Sequence, residues 1–593
     1  MTATQTSARA PHAAVVGAAG LVMMFAVAAY WPAIDVGFLS DDFLILGRVS
    51  ELGGLRNAAA YFGLRHFEYY RPLAFLDLAA DWQLWGRSPA GYHATALCLH
   101  ALNALLVFVL SRRLMGTTGA LVAASLFALH PSSHEAVIWV ASRFDLLATA
   151  WLLAGLFALR WRSWTGNALA AAAFLAAVLS KESALAFPVV AGAYLVFVRG
   201  ANGRQLLGQL GLFALSGGVY AWLRQGAGLA SAGGAARLPK LGALVCLLLL
   251  LLLVAQLGWA RAWSMLGLHR RRVRAAAAGS IAVTGLLAWA GPASGPMRRA
   301  LTSLAFAAAH LLSPIMLDSM VGTLPPTAWM GGVVVLVALA TVLVVGWSHA
   351  ERASRVVFLA VFLVAVLVPI SSMTEGTRYL YLACAPAAMI VGLAIDKLSP
   401  RRRVWACALV VLVLGINTWQ VRVKTRDWLW ASRMTEEAAA TINGTLGGRC
   451  AGHDVVLVTA PVRVRGVYSN LNLEGLEWLQ GCSPASMNTI VRVGVRDPRV
   501  EARWLDAYSL EVLARDYRGG FVTSKDWRTF DIPLTLRDPI RVASPVGRWF
   551  EVSSSGQDLA MRLALDRRLP LSNRSWFFFS EGALRPLVRG SIP

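Results

Sequence analysis

A series of long apolar segments constrains this chain more than any other feature. The first runs from about Ala13 to Trp31 without a charged residue. It is longer than the roughly 7–15-residue core of a signal peptide, so we interpret it as an uncleaved transmembrane helix. Only 15% of the 593 residues are charged, whereas soluble domains carry about 25%. Because a helix needs about 20 apolar residues to cross a bilayer, we predict a polytopic α-helical membrane protein with about 11–13 transmembrane helices.

Two of the apolar stretches leave alternatives open. Residues 167–198 form either one span or two, because each half is shorter than the roughly 20 residues that a span needs. Residues 298–322 are interrupted by "SPIMLDS", and we interpret them as a re-entrant or interfacial segment. The remaining candidate spans are 92–111, 118–130, 136–159, 205–223, 241–265, 275–292, 328–347, 353–372, 379–396 and 402–419.

Arginines and lysines are concentrated in alternate short loops between these spans. The densest cluster is "RAWSMLGLHRRRVR", residues 261–274, and another is "KLSPRRR", residues 397–403. The positive-inside rule then places the N-terminus in the cytoplasm and the C-terminal region outside it. We therefore attribute the net charge of +23 to loop arginines and lysines that set the membrane topology and contact anionic lipid. No nucleic-acid partner is expected. We predict a multi-pass protein of the cell inner (plasma) membrane.

The composition changes near residue 425. Short β-type runs follow, among them "DVVLVTAPV", "TIVRVGVRD" and "IRVASPV", separated by Gly, Pro, Asp and Asn. We predict a transmembrane domain over residues 1–425 and an extracytoplasmic (periplasmic) α+β or mainly β domain over residues 426–593. If that region is extracytoplasmic, Cys450 and Cys482 are expected to form a disulfide.

Ionisable residues gather at the predicted outer ends of the helices. They occur in "FLSDDF", "HPSSHEAVIWVASRFDLLA", "LSKESALAF" and "TEGTRYLYL". Charges at membrane depth are costly, and they usually line a cavity and pair with one another. The sequence therefore predicts one outward-facing polar cavity, in which Arg143 is expected to pair with Asp145.

Each of these motifs also has a purely structural interpretation. Asp41 and Asp42 follow Ser40 and would favour a helix N-terminus. Ser132 and Glu135 have the spacing of a capping box, and the Lys-Glu step at 181–182 fits a turn. The histidines at 130 and 134 are interpreted as packing or hydrogen-bonding residues in preference to metal ligands. Only the convergence of these motifs at one face favours a functional site.

In this order, the motifs resemble the GT-C superfamily of membrane glycosyltransferases, and in particular its protein O-mannosyltransferase branch with tetratricopeptide repeats. The resemblance is carried by "FLSDDF", "YYRPLAFLDLAADWQLWGRSPAGYHATALCLHALNALLVF", "LFALHPSSHEAVIWVASRFDLLA", "LSKESALAF" and "RYLYLACAPAAMI". It covers roughly residues 13–400, and no tetratricopeptide pattern follows. The family implies transfer of a sugar from a polyprenyl-phosphate donor to a protein or glycan acceptor on the outer face, with inversion.

The resemblance also suggests a role for each polar residue. Asp42 is the preferred catalytic base, with Asp41 as its orienting neighbour or as the alternative base. Arg378 is the first choice for the donor phosphate, with Arg71 and Lys181 as alternatives. The sugar or acceptor pocket is assigned to His134, Glu135, Arg143, Asp145, Glu182, Tyr379 and Tyr381.

Other functions and cofactors remain open at this point. A transporter or flippase of a lipid-linked saccharide would also place charges within a helix bundle. A non-catalytic membrane scaffold is the third interpretation. A divalent metal ion is compatible with the superfamily, but the sequence contains no clear ligand set and no metal site is assigned.

Overall fold

The computed structural model describes residues 12–63, 69–227, 350–367 and 376–464, together with most strands of the C-terminal region. In that region the described residues are 467–468, 471, 473–495, 499–506, 509–515, 520–523, 529–532, 540–542, 549–555, 558–564, 574–580 and 583–587. The predicted spans 241–265, 275–292 and 328–347 and the segment 298–322 lie outside these residues.

The helices are numbered in chain order. They are α1 (His12–Tyr30), α2 (Asp41–Glu51), α3 (Ala60–Gly63), α4 (Pro72–Trp85), α5 (Pro89–Leu114), α6 (Thr117–Ala128), α7 (His134–Ile138), α8 (Arg143–Ala158), α9 (Trp164–Ser180), α10 (Phe187–Ala193), α11 (Gly203–Gly226), α12 (Ala350–Leu367), α13 (Tyr381–Asp396), α14 (Pro400–Leu446) and α15 (Leu473–Gln480). Short 3-10 helices and one π-helix connect several of them.

Seven of the described helical segments are long and apolar enough to cross a membrane. They are Ala13–Asp35, Pro89–Leu114, Val140–Ala158, Glu182–Arg199, Gly203–Gly226, Thr377–Asp396 and Pro400–Leu446. Shorter apolar helices are Thr117–Ala128, Trp164–Ser180 and Ser354–Leu367. The predicted fold class, a polytopic helical membrane protein with strands in its C-terminal region, is confirmed.

Residues 167–198 contain two helical segments and not one. The helix α9 ends at Ser180, and Lys181 adopts an extended conformation. A new segment then begins with the 3-10 helix Glu182–Ala186 and continues through α10 and the π-helix Tyr194–Arg199. The break places Lys181 and Glu182 at the end of a helix, where both can enter a polar site.

The chain divides into two compact units. The membrane unit comprises residues 1–34 and 52–423, and the C-terminal unit comprises residues 35–51 and 424–593. The sequence-based division at residue 425 assigned residues 35–51 to the transmembrane domain, whereas their contacts place them with the C-terminal residues. The long helix α14 contributes to both units.

Within the membrane unit, α5 packs against α1, α6 and α8, and α6 also packs against α13. The approach of α6 to α13 depends on two glycines. A Cβ on Gly119 would lie 2.6 Å from the carbonyl oxygen of Gly392. Small residues at such crossings let helix backbones come together in a membrane, so this contact excludes larger side chains at either position.

The C-terminal unit contains two β-sheets. The strands are β1 (Asp454–Val464), β2 (Val467–Tyr468), β3 (Ser486–Val495), β4 (Arg499–Asp506), β5 (Ser509–Arg515), β6 (Gly520–Thr523), β7 (Thr529–Ile532), β8 (Ile540–Val542), β9 (Trp549–Ser555), β10 (Asp558–Ala564), β11 (Arg574–Ser580) and β12 (Ala583–Pro586). One sheet has the order β12-β11-β1-β3-β6-β7, with β2 paired to β1, and the other has the order β4-β5-β10-β9-β8. The central strand β1 pairs in parallel with β11 and β3, and the other pairs are antiparallel.

A disulfide joins Cys450 to Cys482 in the C-terminal unit. Both cysteines lie in a buried apolar cluster with Leu446, Leu476 and Phe577. The bond thus links the residues after α14 to those after α15. A cross-link of this loop size typically stabilises a domain by about 2–4 kcal/mol.

Candidate active site

Among the ion pairs of the membrane unit that join residues remote in sequence, three share neighbouring side chains. The first is formed by Arg71, just before α4, and Glu182. Arg71 Nε and Nη2 lie 2.9 and 2.8 Å from the same oxygen, Glu182 Oε2. The guanidinium also lies 4.3 Å from the ring centre of Tyr69 and 5.2 Å from that of Phe144. Burial alone would lower the pKa of Arg71, but the charge of Glu182 and its hydrogen bond outweigh burial and raise the pKa.

The second pair is formed by Lys181 and Asp145. Lys181 Nζ donates to Asp145 Oδ1 at 2.5 Å, and both side chains are buried. The ammonium group also lies 4.6 Å from the ring centre of Tyr379. Burial lowers the pKa of Lys181 to about 8, the charge of Asp145 opposes this shift, and the nearby cations Arg71 and Arg378 reinforce it.

The third pair is formed by Arg378 and Glu135. Arg378 Nη1 lies 3.5 Å from Glu135 Oε2, and the backbone N–H of Arg378 donates to the same oxygen at 2.9 Å. The guanidinium lies 4.9 Å from the ring centre of Trp139 and 4.6 Å from that of Tyr379. Gly376 has φ +105°, and a Cβ there would lie 2.7 Å from Arg378 Nη1. The backbone conformation at position 376, two residues before Arg378, therefore needs glycine.

These pairs share neighbours and form one site. The ring of Tyr379 contacts both Lys181 and Arg378, and its hydroxyl lies 3.1 Å from Arg378 Nη2. Arg71 and Arg378 both lie close enough to Lys181 to affect its pKa. We call Arg71, Lys181 and Arg378 the cation cluster. Each member is paired with a carboxylate and lies close to an aromatic ring, so its position is held by more than one contact.

The environment of Arg143 differs from the one expected. Its guanidinium donates to Asp77 Oδ2 at 2.8 Å, lies 3.0 Å from Asp81 Oδ2, and donates to the carbonyl oxygen of Tyr92 at 2.6 Å. The predicted pairing of Arg143 with Asp145 is therefore wrong, because Asp145 binds Lys181. Arg143 is fully buried. Through these contacts it joins α8 to α4, which carries the two aspartates, and to α5, which carries Tyr92. The four-residue spacing of Asp77 and Asp81, which places both on one helix face, was the missed signal.

Tyr381 is buried at the start of α13 and takes part in a hydrogen-bond network. Its hydroxyl lies 2.7 Å from His100 Nδ1 and accepts from Asn103 Nδ2 at 3.2 Å. His100 Nε2 faces the carbonyl oxygen of Ala128 at 3.0 Å, so Nε2 carries the proton and Nδ1 accepts from the tyrosine. This network fixes the start of α13, directly after the Arg378 segment.

His134 occupies a similar structural position at the start of α7. It is buried, and its Nδ1 faces the carbonyl oxygen of Pro131 at 3.0 Å. A ring nitrogen next to a carbonyl oxygen carries a proton, so this nitrogen is a donor to the protein backbone. Its neighbour Glu135 is the residue of this turn that pairs with a member of the cation cluster, Arg378.

One further cation near the cluster was not singled out from the sequence. Arg224, near the end of α11, is largely buried and donates to Tyr220 Oη at 3.3 Å. It is also an electrostatic neighbour of Glu182. Its position in the sequence could have identified it, because Arg224 directly follows the predicted span 205–223 at the expected outer end of that span.

The two aspartates of "FLSDDF" begin α2 in the C-terminal unit. The backbone N–H of Leu39 donates to Asp42 Oδ2 at 2.9 Å, and the N–H of Asp42 donates to the carbonyl oxygen of Leu39 at 3.0 Å. Asp42 is buried and Asp41 is exposed. Ser40, directly before them, has φ +53°, which is uncommon for a residue other than glycine. Such strained positions cluster at functional sites.

No group of three or more His, Cys, Asp or Glu side chains is arranged to hold a metal ion in the part of the chain that the structure describes.

Curated relatives match one part of the chain. The protein O-mannosyl-transferase Tmtc1 of Drosophila melanogaster is 31% identical over 201 residues, which are 31% of this chain and 23% of that protein. The protein O-mannosyl-transferases TMTC3 of Mus musculus and Homo sapiens are each 26% identical, over 30% of this chain and 21% of their own lengths. The predicted resemblance to protein O-mannosyltransferases is confirmed over this part of the chain. The chain spans 21–23% of the length of these curated relatives, and no family model matches it.

Two solved structures are similar to most of this chain. The oligosaccharyltransferase AglB of Archaeoglobus fulgidus, in complex with an inhibitory peptide and a dolichol-phosphate, is 14% identical with a TM-score of 0.44, over 80% of this chain and 64% of that one. ArnT of Cupriavidus metallidurans, bound to undecaprenyl phosphate, is 14% identical with a TM-score of 0.39, over 80% and 85%. Likeness of this size assigns no residue of the site.

Proposed function

We propose that this protein is a membrane glycosyltransferase that moves a sugar from a polyprenyl-phosphate donor to a hydroxyl of a protein or glycan acceptor. The observation that carries the proposal is the cation cluster, in which three basic groups from three remote segments are held at helix ends. The proposal includes an inner-membrane location, a reaction on the outer face and an extracytoplasmic C-terminal unit. It is supported by the arginines in alternate loops, which the positive-inside rule assigns to the cytoplasmic side.

The cation cluster suits a phosphate leaving group. As the bond between the anomeric carbon and the phosphate oxygen breaks, the phosphate keeps the electron pair and gains negative charge. Arg378 presents a planar guanidinium, which can hold two phosphate oxygens, while Lys181 acts as a point charge. Their carboxylate partners hold the cations in place before the donor arrives, so little reorganisation is needed during the reaction.

The acceptor hydroxyl must lose a proton as its oxygen attacks the anomeric carbon. We assign Asp42 as the base that takes this proton, with Asp41 as its neighbour in the same turn. Attack opposite the leaving phosphate inverts the configuration at the anomeric carbon. The strained backbone at Ser40 supports a functional role for this turn.

The proposal is tested with the purified full-length chain in lipid nanodiscs and a panel of radiolabelled polyprenyl-phosphate sugars. We expect one donor to be consumed, with release of polyprenyl phosphate and transfer of label to an acceptor. The same panel in sealed vesicles separates the alternatives. Movement of intact donor across the bilayer without cleavage would identify a transporter, and binding of no donor would favour a scaffold.

We expect the apparent KM for the donor to rise as the pH passes about 8, because the pKa of Lys181 is lowered to about 8. A lysine is charged below its pKa and neutral above it, so phosphate attraction is retained on the acid side and lost on the alkaline side. The measurement is donor KM from about pH 6.5 to about pH 9.5. Lys181→Arg remains charged throughout this range, so the alkaline rise should disappear. The same alkaline rise in the arginine variant would contradict this assignment.

A further inference from the structure

The segment that carries the two aspartates belongs to the C-terminal unit and packs against residues of its 424–593 part. Residues 35–51 share their compact unit with residues 424–593, although hydrophobic helices of the membrane unit flank them in the sequence. A Cβ on Gly37 would lie 3.2 Å from Ser432 Cβ and 2.6 Å from Glu436 Oε1, so this segment lies directly on α14. The C-terminal residues therefore build part of the environment of α2.

One aromatic contact fixes this segment close to the aspartates. The ring of Phe38 meets the ring of Trp478 edge to face, with ring centres 5.9 Å apart and planes at 87°. Phe38 is buried, and the helix α15, which carries Trp478, packs against α2. Edge-to-face pairs of this kind stabilise a contact by about 0.5–1.5 kcal/mol beyond the area that they bury.

The helix α15 is itself firmly anchored. Leu476, two residues before Trp478, is fully buried in the apolar cluster that contains the Cys450–Cys482 disulfide. Cys482 lies just after the end of α15, so the helix is held both by packing and by a covalent bond. Trp478 is therefore presented from a rigid support.

Phe38 lies next to the residue that orients Asp42. Leu39 donates its N–H to the Asp42 carboxylate, and Ser40 between them has a left-handed backbone. A strained turn persists only where its surroundings impose it. The Phe38–Trp478 contact supplies such a constraint at the entry to the turn, one residue before the N–H that Asp42 accepts.

We propose that Trp478 is a positioning residue for sugar transfer, through which α15 holds Phe38 and thereby orients the Asp42 carboxylate. The inference rests on the proposed function, in which Asp42 is the base. It gives the C-terminal unit a part in the chemical step, whereas an appended binding domain would affect only acceptor binding.

The test compares Trp478→Ala with Trp478→Phe in the full-length protein. Displacing a catalytic group by about 1 Å can cost about 100-fold in rate, so we expect Trp478→Ala to lower kcat by about 10- to 100-fold. Donor KM should stay within about twofold, because the cation cluster is unaltered. Trp478→Phe keeps an aromatic edge and should recover most of kcat, while Phe38→Ala should resemble Trp478→Ala. Leu505→Ala removes an exposed apolar side chain of the same unit and is the matched control.

Two results would overturn the positioning role. One is a wild-type kcat in Trp478→Ala under conditions in which Asp42→Asn is inactive. The other is a loss that follows the fraction of folded protein in a thermal melt, with kcat per folded molecule unchanged. Failure of the proposed function looks different, because the wild-type protein would then consume no donor at all.

Discussion

Asp42→Asn is expected to lower kcat for sugar transfer by about 10²- to 10⁴-fold, the usual contribution of a general base. Asparagine has nearly the same shape as aspartate but cannot take the proton of the acceptor hydroxyl. Its side-chain oxygen can still accept the N–H of Leu39, so the turn at the start of α2 should remain folded. The measurement is kcat at saturating donor and acceptor, with donor KM as a second readout.

Asp41→Asn is the matched control for this experiment, since it removes the same charge one residue earlier. Asp41 is exposed whereas Asp42 is buried, and we expect the Asp41 variant to lose less activity. If Asp41→Asn is inactive and Asp42→Asn is not, the base is Asp41. Full activity in both variants would remove the base from this turn altogether.

Arg378→Ala is expected to lower kcat/KM for the donor by about 10²- to 10³-fold, comparable with the loss of one preorganised donor to a developing anion. The substitution removes a guanidinium that lies 4.9 Å from the ring centre of Trp139 and 4.6 Å from that of Tyr379, together with its ion pair to Glu135. The measurement is donor kcat/KM under single-turnover and steady-state conditions.

Arg378→Lys separates charge from geometry in this experiment. Lysine keeps the positive charge but cannot present two parallel N–H groups, so recovery should be partial. Tyr379→Phe retains the ring and removes only the hydroxyl that lies 3.1 Å from Arg378, and its effect should be small. Unchanged donor kinetics in Arg378→Ala would exclude this residue from the phosphate site.

The sequence was sufficient to predict the membrane fold and the members of the cation cluster, because both follow from local patterns. Apolar segments of span length identify the helices, and a charge at the end of such a segment needs a partner. Arg71, Lys181 and Arg378 could therefore be selected by residue type and expected helix end. Which acid each one binds depends on packing between remote helices.

The pairing of Arg143 illustrates that limit. Asp145 is two residues away and therefore points to a different side of α8, whereas Asp77 and Asp81 reach Arg143 across a helix contact. The membership of residues 35–51 in the C-terminal unit is non-local in the same way. Nothing in "GFLSDDFLI" indicates that Phe38 meets a tryptophan more than 400 residues later.

The discontinuous C-terminal unit has a consequence for biosynthesis. Residues 35–51 leave the ribosome long before their packing partners, because residues 52–423 must be made first. At about 5–20 residues per second, this interval lasts about 20–70 s. During that time Phe38 and the apolar face of α2 have no C-terminal unit to cover them. We therefore expect nascent chains that stop before residue 424 to need a chaperone or the translocation machinery to shield this segment from aggregation.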